Sequence, residues 1–130
     1  MANPNLLAAT TASGTTTYLT PSGTSAVVLI PNAASSGQVF KINQIVVANT
    51  TGTAANATVS IYTNGAVAQG SAPSGGTAFP IVSTISVPAN ASLVVVDKTT
   101  AVYLMEGTSI TVTSGTGSGI TYSVSYEVIS

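Results

Sequence analysis

The sequence has no cysteine, no histidine and no tryptophan, and its 130 residues carry only two basic and three acidic side chains. Without cysteine there are no disulfides and no thiolate metal sites, and the chain would behave alike in reducing or oxidising surroundings. Without histidine the commonest general base and metal ligand is missing. Charged residues make up 4%, where roughly 25% is ordinary for a soluble domain. Lys41 and Lys98 alone cannot build the basic stripe that nucleic acid requires, so no nucleic-acid partner is expected. No apolar run approaches the length of a membrane span, so no membrane partner is expected either. Met1-Ala2-Asn3-Pro4-Asn5 lacks a positive start, and Leu6-Leu7-Ala8-Ala9 is too short for a signal core. Three glycosylation sequons begin at Asn49, Asn56 and Asn90; in a chain this rich in Asn and Thr they read as chance matches.

Hydrophobic residues, by contrast, make up 45%, and mean hydropathy is +0.51. Such a chain can bury apolar surface and is expected to fold, as one domain at this length. Aromatics are 5%, so Val, Ile, Leu and Ala must fill most of the core. Thr, Ser, Asn and Gln must supply the polar surface, and β-branched Thr suits strands. A net charge of -1 gives little mutual repulsion, so the chain is expected to work as a subunit of something larger.

Alternation of apolar with polar residues organises the second half. Strands are expected at Ile85–Val87, Leu93–Val96, Ala101–Leu104, Ile110–Thr113 and Ile120–Ile129. Turns are expected at Val87-Pro88-Ala89-Asn90, Asp97-Lys98-Thr99-Thr100 and Met105-Glu106-Gly107-Thr108, and Gly115–Gly119 is read as a hairpin connection. In the last strand Ile120, Tyr122, Val124, Tyr126 and Val128 share one face. In the first half, Ser25–Ile30 reads as a strand closed by Pro31-Asn32. Gln38–Asn49 reads as a longer strand whose phase slips, which predicts a bulge near Asn43-Gln44. Ala57–Thr63 alternates and runs into Asn64-Gly65, a dipeptide that favours a two-residue hairpin, with Ala66–Ala68 as a possible return strand or plain loop. Gln69–Thr77, with Gly70, Pro73, Gly75 and Gly76, is expected to be an exposed loop. Ala78–Val87 returns to strand character around a break at Pro80. Residues 2–17 have no clear period and read either as a frayed terminus or as an arm laid across a neighbour. No segment has helical spacing with caps. The expected fold is all-β: one antiparallel β-sandwich, jelly-roll-like, over residues 18–130, with an extended N-terminal arm at 1–17. A closed barrel also fits the spacing.

The residues offer little chemistry. Asp97 and Glu106 lie at opposite ends of a four-residue strand, about 13 Å apart, too far for a catalytic pair. Asp97 reads as a turn former, and Glu106-Gly107 as a turn with glycine at the positive-φ position. Asp97, Glu106 and Glu127 do not make an oxygen cage for a divalent cation. Gly115, Gly117 and Gly119 lack dinucleotide-binding intervals, and no nucleophile elbow is present. No catalytic, cofactor-binding or metal-ligating residue is expected, and no cofactor. A carbohydrate-binding module would need a groove lined by Tyr18, Tyr62 or Tyr103, and these do not cluster in the sequence.

The segment Ser86-Val87-Pro88-Ala89-Asn90-Ala91-Ser92-Leu93-Val94-Val95-Val96-Asp97-Lys98-Thr99-Thr100-Ala101-Val102-Tyr103-Leu104-Met105-Glu106-Gly107-Thr108-Ser109-Ile110 resembles small structural proteins of tailed bacteriophages, especially cyanophages. Val124–Ser130 and Gly37–Asn43 resemble the same group. That group is more acidic around the Tyr-Leu-x-Glu-Gly turn than Met105 and Thr108 make it here. The resemblance implies a non-enzymatic virion component, foremost a capsid decoration or cement protein bound to the major capsid protein or other virion proteins. A tail, neck or fibre protein of the same particle is the alternative it implies. The Leu104, Gly107, Ile110 spacing is similar to that of trimeric jelly rolls, so a homo-oligomer, foremost a trimer, is expected.

Overall fold

Nine strands are present in the computed structural model, which describes residues 4–130: β1 (Ala12–Leu19), β2 (Val27–Asn32), β3 (Val39–Asn49), β4 (Ala55–Tyr62), β5 (Ala78–Val87), β6 (Ser92–Val96), β7 (Val102–Leu104), β8 (Thr108–Ser114) and β9 (Ile120–Ile129). Helical structure among the described residues is limited to two three-residue 3₁₀ turns, Leu6–Ala8 and Lys98–Thr100. The strands form two antiparallel sheets, so the chain is an all-β sandwich. One sheet has the order β1-β9-β3-β6, with β7 also on β3; the other has the order β2-β8-β4-β5. The pairings nest: β4–β5 lies within β3–β6, which lies within β2–β8, which lies within β1–β9.

The core lies between the inner faces. The five-stranded sheet contributes Ile42, Ile45, Val47, Val96, Leu104, Ile120, Tyr122 and Val124, and the other contributes Leu29, Ala57, Val59, Val87, Ile110 and Val112. Aliphatic side chains dominate it, as the composition requires. The inward face of β9 is the alternation read from the sequence: Ile120, Tyr122 and Val124 are fully buried, and Tyr126 and Val128 pack against the cluster. Tyr122 also ties the sheets together, because its hydroxyl donates to the Thr113 carbonyl at 2.9 Å and hydrogen-bonds the Ser114 hydroxyl at 3.1 Å.

The expected bulge in β3 is present: the pairing with β9 shifts register between Ile42 and Gln44, around Asn43. Several turn readings are corrected. The Asp97–Thr100 segment does not reverse the chain. β6 pairs with Ile45–Ala48 and β7 with Phe40–Ile42, so both continue one path along β3 with the 3₁₀ turn inserted between them. Met105–Thr108 and Gly115–Gly119 are not hairpins; each carries the chain from one sheet to the other. β2 runs on through Pro31 and Asn32, and β5 through Pro80. Both are edge strands, where a missing N–H can face away from the ladder.

Asn64-Gly65 makes no hairpin turn, and neither residue has positive φ. Ala66–Ala68 is loop. Gly65 is buried because the segment after β4 turns back over the outer face of its own sheet. A Cβ there would overlap the Asn32 carbonyl oxygen and sit 2.6 Å from that of Thr108. The glycine is required by close approach of backbone, not by turn geometry. Further along, Gln69–Thr77 is loop and exposed apart from Pro73, as expected, and it lies beside β2: Val28 N–H donates to the Ser71 carbonyl and Gly70 N–H to the Val28 carbonyl, at 2.9 and 2.8 Å.

The boundary expected at residue 17 falls inside β1, which pairs with β9 from Ala12 to Leu19. Met1–Asn3 of the expected arm lie outside the described residues.

Gly65→Ala is expected to lower stability by about 1–3 kcal/mol in urea unfolding, since backbone must shift to admit the methyl group. Gly52→Ala, where nothing lies within 4 Å, is expected to stay within about 0.5 kcal/mol of the parent. Tyr122→Phe leaves a buried hydroxyl and a carbonyl short of a partner and is expected to cost about 1–3 kcal/mol. Burial raises the Tyr122 phenol above its ordinary 10.0, against a smaller opposing effect of the Ser114 hydrogen bond. The stability from the neutral phenol is therefore complete below pH 10 and falls as pH rises beyond it; unfolding followed by phenolate absorbance checks this.

Candidate functional site: the outer face of the five-stranded sheet

Four of the five charged side chains come together on the outer face of the five-stranded sheet. Register explains the first pair: Lys41 on β3 lies directly across from Glu127 on β9, and both point outward because their neighbours Ile42 and Tyr126 point to the core. Lys41 Nζ and Glu127 Oε2 are 4.0 Å apart, with side chains 38% and 40% exposed. Such a pair adds roughly 0–1 kcal/mol to stability. Asn43, pushed out at the bulge, donates to the same carboxylate oxygen at 3.1 Å, while its own Oδ1 is shielded from solvent and lacks a hydrogen-bond partner. Glu127 is thereby held between an ammonium and an amide.

The 3₁₀ turn between β6 and β7 brings the second pair to the same place. Asp97 and Lys98 line a shallow depression of about 390 Å³ with Asn43, Gln44 and Ser125. Asp97, read from the sequence as a turn former, caps the 3₁₀ turn. Its Oδ1 accepts from Thr99 N–H at 2.9 Å, Thr99 hydroxyl at 2.6 Å and Thr100 N–H at 3.2 Å, while the Thr100 hydroxyl accepts from Asp97 N–H at 3.2 Å. These bonds, led by the Thr99 hydroxyl, hold its carboxyl below the ordinary value of 3.8. Glu106 stands apart, at the corner between the sheets, where it accepts from Gly37 N–H at 3.1 Å.

Large apolar side chains surround these charges. Tyr103 on β7 pairs across from Lys41. It forms a second depression with Pro4, Leu6, Val39 and Met105. Val94 faces outward beside Val46, and Tyr18 outward on β1 beside Ser123. Leu6, Tyr18, Val94, Tyr103 and Met105 are each 47% or more exposed. Small side chains, among them Thr16, Ala48, Thr121, Ser123 and Ser125, lie between them.

The three tyrosines weighed as a sugar platform do not converge. Tyr62 belongs to the other sheet, where its hydroxyl accepts from Gly76 N–H. Tyr18 and Tyr103 lie on opposite sides of the β9–β3 pair. The carboxylates do not converge either, and no group of three or more His, Cys, Asp or Glu among the described residues is placed to hold a metal ion. Asn49 is buried, with its amide nitrogen donating to the Thr53 and Val87 carbonyls at 2.8 and 3.0 Å, which leaves no room for a glycan on the folded chain. The concentration of charge on one face was missed by sequence reasoning; the bulge expected at Asn43-Gln44 was the only local sign of it.

No protein-family model, curated protein or solved structure matches the chain.

A carbon-13 titration of the side-chain carboxyls is expected to place Asp97 below 3.8. Because its folded value is depressed, its contribution to stability is present above the unfolded value and is lost as pH falls through the folded one. Asp97→Asn should remove that part of the acid dependence.

Proposed function

We propose that this protein is a non-enzymatic structural component of a tailed-phage virion, a capsid decoration or cement protein that docks on the assembled shell and stabilises it. The observation that carries the reading is the gathering of four of the five charges and five of the seven large exposed apolar side chains among the described residues onto one face, Phe79 lying on the other sheet. A face of this kind suits a fixed partner: apolar anchors at Tyr103, Met105 and Leu6 supply contact area, and the balanced Lys41, Glu127, Asp97 and Lys98 set register without strong steering. Individually weak contacts are multiplied by the symmetry of a shell. The segment Ser86–Ile110 that resembles phage proteins includes β6, the 3₁₀ turn and β7, and so supplies Val94, Asp97, Lys98, Tyr103 and Met105 of the face.

The nested strand order supports a jelly-roll reading, with β6 and β7 together filling one strand position. That architecture is common to viral capsid and lectin domains, and fold by itself does not decide between them. The tyrosine geometry weighs against the lectin-like alternative. On this reading the protein acts in the virion as a homo-oligomer, a trimer being the preferred form, against the major capsid protein.

An electron-microscopy map of the particle is expected to show the chain outside the head shell in on the order of hundreds of copies, as shell symmetry multiplies each site. A dozen or fewer copies would move it to a tail, neck or fibre, and its absence from the particle would overturn the reading. Tyr103→Asp is expected to weaken binding to purified shells by roughly tenfold or more, as loss of a central aromatic anchor does, with its unfolding transition unchanged.

A further inference from the structure

Three of the four sheet edges among the described residues carry a device that prevents pairing with another strand. β2 contains Pro31 and is bridged by Gly70 and Ser71. β5 contains Pro80, two register shifts and Thr84 at φ 49°. The β6–β7 edge is interrupted by the 3₁₀ turn that bears Lys98. Such devices are how β proteins avoid edge-to-edge association. β1 has none of them between Ala12 and Thr16. Ala12-Ser13-Gly14-Thr15-Thr16-Thr17-Tyr18-Leu19 has no charge and no proline, and its register on β9 is unbroken.

Register fixes which backbone groups of that edge are open. Thr11 and Ser130 exchange both backbone hydrogen bonds, at 3.0 and 3.1 Å. Bonded and non-bonded pairs alternate along an antiparallel ladder. Ser13, Thr15 and Thr17 therefore bond to β9, and the N–H and C=O groups of Ala12, Gly14, Thr16 and Tyr18 point to the open side. The Tyr18 carbonyl already accepts from the Gln69 side chain, at 3.5 Å. What stays open is Ala12, Gly14 and Thr16, evenly spaced about Gly14. These residues, with Ser13 and Thr15 on the opposite face, are all exposed, so β1 overhangs the sandwich here with neither face covered.

We propose that this edge pairs with the same edge of a second copy, antiparallel, about a twofold axis at Gly14. Ala12 then meets Thr16 of the other copy and Gly14 meets Gly14, forming on the order of six ladder hydrogen bonds and joining the two five-stranded sheets. The occupant is a second copy because a foreign strand would need side-chain pockets for its specificity. None lies at the middle of this edge, where a Cβ on Gly14 would meet nothing within 4 Å; the nearest depression, lined by Thr11 and Ala12, opens toward Lys41 and Tyr103 on the outer face. Charge permits the arrangement. Each copy's Glu127 is one strand in from the axis beside its own Lys41. The two glutamates stand about three strand spacings, ~14 Å, apart, beyond the Debye length of about 8 Å. A ladder of this length buries less than the ~1,200 Å² of a stable interface, so the pairing is weak in free solution and matters where copies are arrayed. It does not depend on the virion reading, and a chain of any other function could pair in this way.

The test uses the lack of native cysteine. In this register two Gly14 Cα atoms face each other at about 5.5 Å, within disulfide range. Gly14→Cys is expected to form a disulfide-linked dimer under mild oxidation at roughly ten times the rate of the exposed control Gly23→Cys, because pairing raises the effective concentration of the thiols. Sedimentation of the parent is expected to show concentration-dependent dimers. Gly14→Pro, which removes only the outward N–H and spares the β9 ladder, is expected to abolish them while circular dichroism stays unchanged. Equal cross-linking of the two cysteine variants, or dimers that survive Gly14→Pro, would overturn the proposal. If Gly14→Pro misfolds, the cross-linking comparison decides by itself.

Discussion

The structure depends on the two-sided pairing of β9. This strand lies between β1 and β3 and is in register with both over nearly all its length. Its inward side chains fill the middle of the core, and its outward ones form the centre of the candidate docking face. The two roles are inseparable, because a one-residue slip would turn Glu127 and three hydroxyls inward and Tyr122 and Val124 out. Tyr122 resists such a slip, since its hydroxyl is anchored on the opposite sheet. The same register sets Glu127 across from Lys41, so the packing that closes the core also assembles the charged group outside it.

With so few charges, the chain satisfies its buried polar groups by short amides and hydroxyls. Asn32 and Asn49 are almost fully buried at corners where the chain changes sheet. The Asn32 amide donates to the Gln38 and Leu104 carbonyls, both at 3.0 Å, and Asn49 does the same for Thr53 and Val87. Each amide bridges two segments distant in sequence, which a lysine or a carboxylate could do only at a larger desolvation cost. Outside the core, hydroxyl pairs such as Thr16–Ser125 at 3.0 Å and Thr20–Thr121 at 2.8 Å link neighbouring strands. The result is a surface almost free of long-range electrostatic preference. On such a background one cluster of four charges is a marked feature, and a bare strand edge carries no repulsion to keep a second copy away.

The break in the strand path along β3 joins the fold to its proposed use. A continuous strand from Ser92 to Leu104 would have covered the bulge at Asn43. Instead the chain loops out through a capped 3₁₀ turn, and the space beside the bulge becomes the depression between Asp97, Lys98 and Asn43. Two irregularities that would each weaken a sheet are placed beside one another. Irregularities of this kind are commonly kept where a strand must re-aim side chains.

Much of this was legible in the residues. The two faces of β9, the bulge in β3 and the aliphatic core follow from period two and composition, which act over a few residues. The misreadings were of partner choice. Asn64-Gly65 carried a strong local hairpin signal, yet Gly65 is used for close packing against Asn32 and Thr108, residues far away along the chain. Asp97–Thr100 looked like a reversal and is an insertion in a single strand path. Lys41, Asp97, Lys98 and Glu127 have no shared motif. Alternation decides which side chains of a strand point the same way, because successive residues must face opposite sides of a pleat. Which strands lie beside one another is decided by burial of the whole apolar surface at once, over loops of up to a hundred residues. The faces of the alternating strands were therefore set by the sequence alone, and β1, the nested pairing, the charged face and the open edge only by the tertiary fold.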